Sequence, residues 1–338
     1  MTQIYLTNGQ EFLRDSELRK GKRPSTCQNY LSSAVALCNW LEKAPDEIGP
    51  KDVEEFAIYM LAQNLAPNTR RLKLIGIREY FKWLHDLTGK TNPVEGIKIA
   101  REVVTDPLII TPSELVQLVI TAAYQQRNNG PFDNVKAARR NAALICLLAE
   151  TGIRESEAAR LCMGSVIKMD NYFQLLVPGG ESGLKSLPRS VPFGKLVEGS
   201  LVAEYWTRWY LERMGIDSAK REDAIFPVFN HRTGKLLNGK PMGTRLINKT
   251  ISIIVKRSPV TKNVYPHLLR HYYGTYSVAN GLNLTTLSQR MGHARIDTTM
   301  RYVHLVDTQV KPDLEHGPNI NIQAPPEDSG FVRILKRL

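Results

Sequence analysis

Long apolar runs are missing from this chain: no stretch approaches the roughly 18 uninterrupted apolar residues of a membrane span, which excludes a spanning helix. The opening MTQIYLTNGQEF lacks a basic segment followed by an apolar one, so no secretory signal is read there. Cysteine is scarce. Cys27, Cys38, Cys146 and Cys162 form no C-x-x-C pair and sit in apolar, helix-like surroundings. That excludes a disulfide framework and a zinc site, and reads as buried thiols in a reducing compartment. A glycine-rich phosphate loop and a carboxylate cluster are both absent, so neither a nucleotide cofactor nor a metal is expected. Internal repeats and low-complexity tracts are missing as well. The expectation is a soluble, cytoplasmic protein with no membrane contact.

What is present is positive charge. Lys and Arg number 45 against 33 Asp and Glu, a net charge of +12, which suits a polyanionic partner such as nucleic acid. The excess is uneven: residues 1–102 hold 15 basic and 13 acidic side chains, leaving 30 and 20 for the remainder. At 338 residues the chain is long enough for two domains, each with its own core.

The first hundred residues read as helices. Ser25-Thr26 can cap a helix through Tyr30, Val35, Leu37 and Leu41. A short acidic helix opens at Gly49-Pro50, and a third helix starts at Pro67 and runs through Leu84. One face of this last helix carries Arg70, Arg71, Lys73, Arg78 and Lys82, either a solvated stripe or a contact with a DNA backbone. Gly89 and Asn92-Pro93 end the bundle. Thr111-Pro112-Ser113-Glu114 then forms a capping box, which marks a new domain. The resulting division is a helical DNA-binding domain over 1–96, a linker over 97–110, a catalytic domain over 111–305 and a tail over 306–338. Within the second domain, helices are expected at 136–150 and about 155–162, and strands at 172–178 and 188–193 form a hairpin. From residue 200 to about 305 the pattern reads as helical. The fold class is mainly α with a small β-hairpin or sheet.

Three clusters in the second half could carry chemistry: Thr151-Gly152-Ile153-Arg154-Glu155-Ser156-Glu157, His267-Leu268-Leu269-Arg270-His271, and Met291-Gly292-His293 followed by Arg301-Tyr302-Val303-His304. His267 and Arg270 are three apart and share one helix face. Arg154 follows a glycine that can end one helix, and it starts the next. Two guanidiniums suit a phosphate that gains negative charge in a transition state, and histidines can position it or move protons near neutral pH. Tyr302 lies beyond Thr298-Thr299, read as the N-cap of its short helix. Taken singly, each residue has a structural reading: Arg154 as an ion-pair partner of Glu157, a histidine as a hydrogen-bonding residue, a tyrosine as packing.

Together and in this order, the segments resemble the tyrosine recombinase/integrase family. TGIRESE is similar to its first arginine box, HLLRHYYGT to its H-x-x-R box, and MGHARIDTTMRYVH to the segment bearing the nucleophile. The first hundred residues are similar to the family's helical, SAM-like core-binding domain, as in simple Xer-like and mobile-element integrases. The resemblance implies a C-shaped clamp on DNA and a Tyr302 nucleophile that leaves a 3′-phosphotyrosyl bond, with a Holliday junction between two exchanges. It implies that Arg154 and Arg270 grip the phosphate, His267 handles the tyrosine proton and His293 donates to the phosphate. Lys185 would then protonate the leaving 5′-oxygen, although Glu181 stands where the family's hairpin turn has a lysine. Gly274 and Met291 replace its usual alanine and leucine. The implied partner is double-stranded DNA carrying recombination sites, synapsed by a homo-tetramer of a chain that is monomeric or weakly dimeric when free.

With the bundle starting near residue 10, an additional arm-binding domain is not expected. The terminal FVRILKRL is either a basic tail or a segment that docks on a neighbouring protomer through Phe331, Ile334 and Leu335. Competing activities are a type IB topoisomerase-like or hairpin-forming resolvase enzyme, a non-catalytic DNA clamp, and an RNA-binding helical protein, for which no aromatic platform motif is found.

Overall fold

The structure is a computed structural model that describes residues 8–18, 20–100, 106–124, 135–179, 188–195, 201–216, 220–230 and 232–310. The chain divides into two compact units, Met1–Thr105 and Asp106–Leu338.

Among the described residues of the first unit, four α-helices enclose one core: α1 (Gly9–Leu18), α2 (Pro24–Leu41), α3 (Pro50–Ala62) and α4 (Pro67–Thr88). Prolines open α2, α3 and α4, where a missing N–H costs nothing and the fixed φ already suits a helix. The first of these therefore begins one residue before Ser25-Thr26, with Arg23 in the capping position. Phe12, Leu37, Val53, Phe56, Ile77, Tyr80 and Phe81 fill the core.

The second unit packs around α6 (Val135–Thr151), whose residues Ala142–Ala149 are buried without a break. Before it comes α5 (Pro112–Tyr124), opened by the expected capping box: Thr111 Oγ1 accepts from the Glu114 N–H at 3.2 Å, and the Glu114 carboxylate accepts from the Thr111 N–H at 2.7 Å. After α6 follow α7 (Glu155–Ala158), β1 (Val166–Lys168), β2 (Phe173–Val177), β3 (Arg189–Phe193), α8 (Leu201–Ile216), β4 (Pro227–Asn230), β5 (Lys235–Pro241), α9 (Thr244–Arg257), α10 (Pro266–Ala279), α11 (Leu284–Met291) and α12 (Asp297–Leu305), then a π-helical turn over Val306–Val310. Strands β1, β2 and β3 form an antiparallel sheet in which Leu175 lies opposite Val166 on one side and Val191 on the other. Strands β4 and β5 form a second, two-stranded sheet.

Three expectations about the elements of the second unit need correction. The helical reading after residue 200 misses β4 and β5; their turn is set by Asn230, whose side chain accepts from the Arg232 and Thr233 N–H groups, and by Gly234 at φ +65°. The expected hairpin has β1 as a third strand. And α7 is one turn long, because a short 3₁₀ segment at Met163–Ser165 diverts the chain into β1. Cys27, Cys38 and Cys146 are buried in helices, whereas Cys162 is partly exposed and bridges to Ala224. Among the described residues no helix is long and apolar enough to cross a membrane. Lys185, Glu181 and the tail from 311, with Phe331, Ile334 and Leu335, lie outside the described residues.

Candidate active site

Four segments converge at one end of the second unit. The turn leaving α6 supplies the first. Gly152 has φ +59°, and a Cβ there would run into the ring of Tyr273, so only glycine lets the chain turn this close to α10. Its carbonyl accepts a hydrogen bond from Nη1 of Arg270.

Arg270 comes from α10 and is 2% exposed. Its Nη2 donates to the Met291 carbonyl at 2.9 Å. A guanidinium has five N–H donors in one plane, and two neutral carbonyls fix that plane without cancelling its charge. Burial pulls its pKa down to about 10, which still leaves it protonated at neutral pH.

Arg154 is the N-cap residue of α7, and its N–H donates to the Glu157 carboxylate at 2.8 Å. Its side chain is about a third exposed and reaches Glu157 through Nη1 at 3.3 Å. Both readings of Arg154 therefore coexist: it pairs with Glu157, yet it faces outward. Glu157 itself is 1% exposed and takes a second arginine, Arg189 of β3, through two bonds of 3.0 and 2.9 Å.

His267 lies in the first turn of α10 and is exposed on one side, while its ring packs edge-on against His271 at 4.6 Å. Desolvation and then the charge of Arg270 lower its pKa. His293 follows α11, and its Nδ1 lies 2.9 Å from Oγ1 of Thr299. Burial and Arg270 hold His293 down at about 3, so in the unliganded site it is neutral. Thr299 is fully buried in the first turn of α12, which begins at Asp297 with Ile296 as N-cap. The reading of Thr298-Thr299 as cap is thus corrected: Thr299 orients a histidine.

Tyr302, on α12, is 2% exposed. Its ring lies parallel to His293 at 6.3 Å, near His271 at 5.8 Å, and directly against Gly274, where a Cβ would stand 2.6 Å from the ring. Burial raises the phenol pKa, an effect opposed by Arg270, Arg301 and Arg154. Tyr272 and Tyr273 are core residues. Arg154, His267, Arg270, His293 and Tyr302 are thus brought together from four segments, the first of which lies more than a hundred residues before the other three. Among the described residues no group of three His, Cys, Asp or Glu side chains is placed to hold a metal ion.

Two residues of this cluster escaped sequence reasoning. Arg189 opens a short strand, where an arginine usually meets solvent, and no local pattern marks it. Thr299 looked like a cap because caps and buried hydroxyls have the same residue types. The α4 basic residues belong to the first unit and do not form a single stripe. Arg71, Arg78 and Lys82 follow one another at seven and four residues and share a face. Arg70 instead donates to the Leu65 carbonyl at 2.9 Å, and Lys73 is two residues from Arg71, on a different side.

Comparison with known proteins agrees with this architecture. The tyrosine recombinase XerC of Lacticaseibacillus casei (strain BL23) is 27% identical over 309 residues, covering 89% of this chain and 94% of that protein. The tyrosine recombinase XerD of Bifidobacterium longum (strain NCC 2705) is also 27% identical, over 316 residues and the same shares. In fold, the chain resembles the XerH site-specific recombinase bound to its difH substrate before cleavage, with a TM-score of 0.61 at 16% identity, covering 90% of this chain and 83% of that one. It resembles equally a lambda integrase dimer bound to a COC′ core site, with a TM-score of 0.63 at 15% identity, covering 87% and 93%. Residues 10–89 match the phage integrase N-terminal SAM-like domain and residues 109–309 the phage integrase family. The chain therefore belongs to the phage integrase family and is a tyrosine recombinase, an enzyme that cuts and rejoins DNA at specific sites.

Proposed function

We propose that Tyr302 is the nucleophile of strand cleavage and that Arg154, Arg270, His267 and His293 form its phosphate site. The carrying observation is the pairing of a buried phenol with two arginines and two neutral histidines on facing segments. A phenol with a raised pKa is a poor nucleophile until a base takes its proton. His267 is kept neutral by burial and by Arg270, and is therefore able to accept one. The phenol oxygen then bonds to phosphorus as the bond to the 5′-oxygen breaks, which leaves a 3′-phosphotyrosine. Arg154 and Arg270 neutralise the two non-bridging oxygens, whose charge grows in the transition state. A phosphate entering the site raises the affinity of His293 for a proton, so that it becomes a donor to the same oxygens. Lys185 is assigned the proton for the departing 5′-oxygen, on its place in the hairpin turn.

Because Tyr302 is 2% exposed, attack requires α12 to carry its hydroxyl toward the phosphate. The first unit, with Arg71, Arg78 and Lys82 aligned on α4, supports DNA backbone contact. Two exchanges through a Holliday junction, within a homo-tetramer on two synapsed sites, complete the reading; the free chain is monomeric or weakly dimeric.

The test begins with a binding site enriched from random-sequence duplex DNA by the wild-type protein. Suicide duplexes built on that site are nicked at successive positions across its centre. Wild-type protein is expected to form a covalent complex that survives denaturation. Tyr302→Phe is expected to bind the same DNA and trap none; a covalent complex with the Phe variant would disprove the assignment.

A further inference from the structure

We propose that Arg189 is a positioning residue of the cleavage site: it neutralises Glu157 so that the charge of Arg154 remains available to the phosphate. The inference rests on the proposed role of Arg154, and its test separates the two.

Glu157 is 1% exposed, and a buried carboxylate needs a counter-charge. Among the described residues two arginines pair with it, and they are unequal. Arg189 has a side chain 7% exposed and makes two bonds of 3.0 and 2.9 Å, the fork-to-carboxylate geometry in which an arginine pairs most strongly. Arg154 is 32% exposed and makes one side-chain contact at 3.3 Å, the weaker of the two. The carboxylate is therefore matched mainly by Arg189. Of the two arginines, the one that faces outward is the one less engaged by the carboxylate.

Removing Arg189 would change that balance. Glu157 would still be buried, and Arg154 is a counter-charge already in contact with it. Its guanidinium would turn inward to complete a two-bond pair, and the charge meant for a non-bridging phosphate oxygen would be cancelled from within the protein.

Arg189 also holds the far side of the site. Its Nε donates to the Arg290 carbonyl at 2.6 Å, one residue before Met291, whose own carbonyl accepts from Arg270, and three before His293. One buried guanidinium thus joins β3, the start of α7 and the end of α11, the last two of which carry Arg154 and lead to His293. A purely architectural ion pair would account for the burial. It would not account for a second arginine placed on the same carboxylate and left facing outward.

The test uses full-length protein and the nicked duplexes described above. Arg189→Met is expected to cleave about a hundredfold more slowly in single turnover, with DNA affinity within about threefold of wild type. The decisive variant is Arg189→Met combined with Glu157→Gln. Glutamine fills the same space without a charge to capture Arg154, so cleavage is expected to recover at least about tenfold over Arg189→Met. A loss caused by damaged packing would deepen in the double variant. If Arg189→Met does not fold, Arg189→Lys replaces it, because an ammonium keeps the charge but not the planar fork; its expected loss is about tenfold, again relieved by Glu157→Gln. Wild-type cleavage rates in a folded Arg189 variant, or no recovery in the double variant, would overturn the inference while leaving Tyr302 as nucleophile untouched. Absence of a covalent complex with the wild type would remove the underlying reading as well.

Discussion

At the scale of single residues, Gly274 is the most informative departure from the family pattern. Where the family usually has alanine, the missing Cβ makes room for the Tyr302 ring, which a methyl would approach to 2.6 Å. Gly274→Ala should therefore push the ring out of its buried seat. The expected outcome is faster nitration of Tyr302 in the free protein, together with a loss of about 1–3 kcal/mol of stability from overpacking; peptide mapping after nitration and denaturant unfolding measure the two. Unchanged labelling would mean that the ring adjusts within its seat.

At the scale of elements, α4 and α5 make separate predictions. The shared face of Arg71, Arg78 and Lys82 should contact phosphates, so each change to Gln should reduce the slope of log affinity against log salt by about 0.9. Arg70→Gln and Lys73→Gln should leave the slope unaltered, because these side chains lie off that face. Filter-binding titrations across a salt series distinguish the two groups. In α5, Glu114 closes the capping box and also accepts from Lys262 Nζ at 2.9 Å, so its pKa is lowered despite partial burial. Glu114→Ala should cost about 1–2 kcal/mol, the worth of a cap with a partly exposed ion pair, read from a urea midpoint shift.

At the scale of the whole molecule, the pH dependence of stability contains a term from Glu150. Burial raises its carboxyl to about 7, opposed by a hydrogen bond from the Gly194 N–H. A raised carboxyl pKa means that the folded state binds the proton more tightly. Its stabilisation is complete below the unfolded value of about 4.3 and is lost as pH rises through about 7. Wild-type protein should therefore lose melting temperature relative to Glu150→Gln between about pH 5 and about pH 8. Parallel melting curves for the two proteins across that range would contradict the assignment.

The ordered boxes around Arg154, His267, Arg270, His293 and Tyr302 were legible in the sequence because each is a short run of fixed residue types at fixed spacing. The helices of the first unit were legible for the same kind of reason: proline starts and apolar periodicity are local. The β4–β5 hairpin was not, since its turn is set by one asparagine and a glycine within a stretch that otherwise suits helix. Nor did the sequence show that Arg70 is held at the start of α4 by the Leu65 carbonyl, although the spacing of Arg71, Arg78 and Lys82 already puts those three on one face.

By itself, then, the sequence determined the residue types of the candidate site and their order, because local chemistry and spacing are written along the chain. Tertiary structure alone decided that Arg189 shares Glu157 with Arg154, that Thr299 orients His293, and that Tyr302 rests buried against Gly274. The physical reason is distance along the chain. A buried charge is satisfied by whatever side chain folding brings within about 3 Å, and no periodicity encodes a partner 32 residues away.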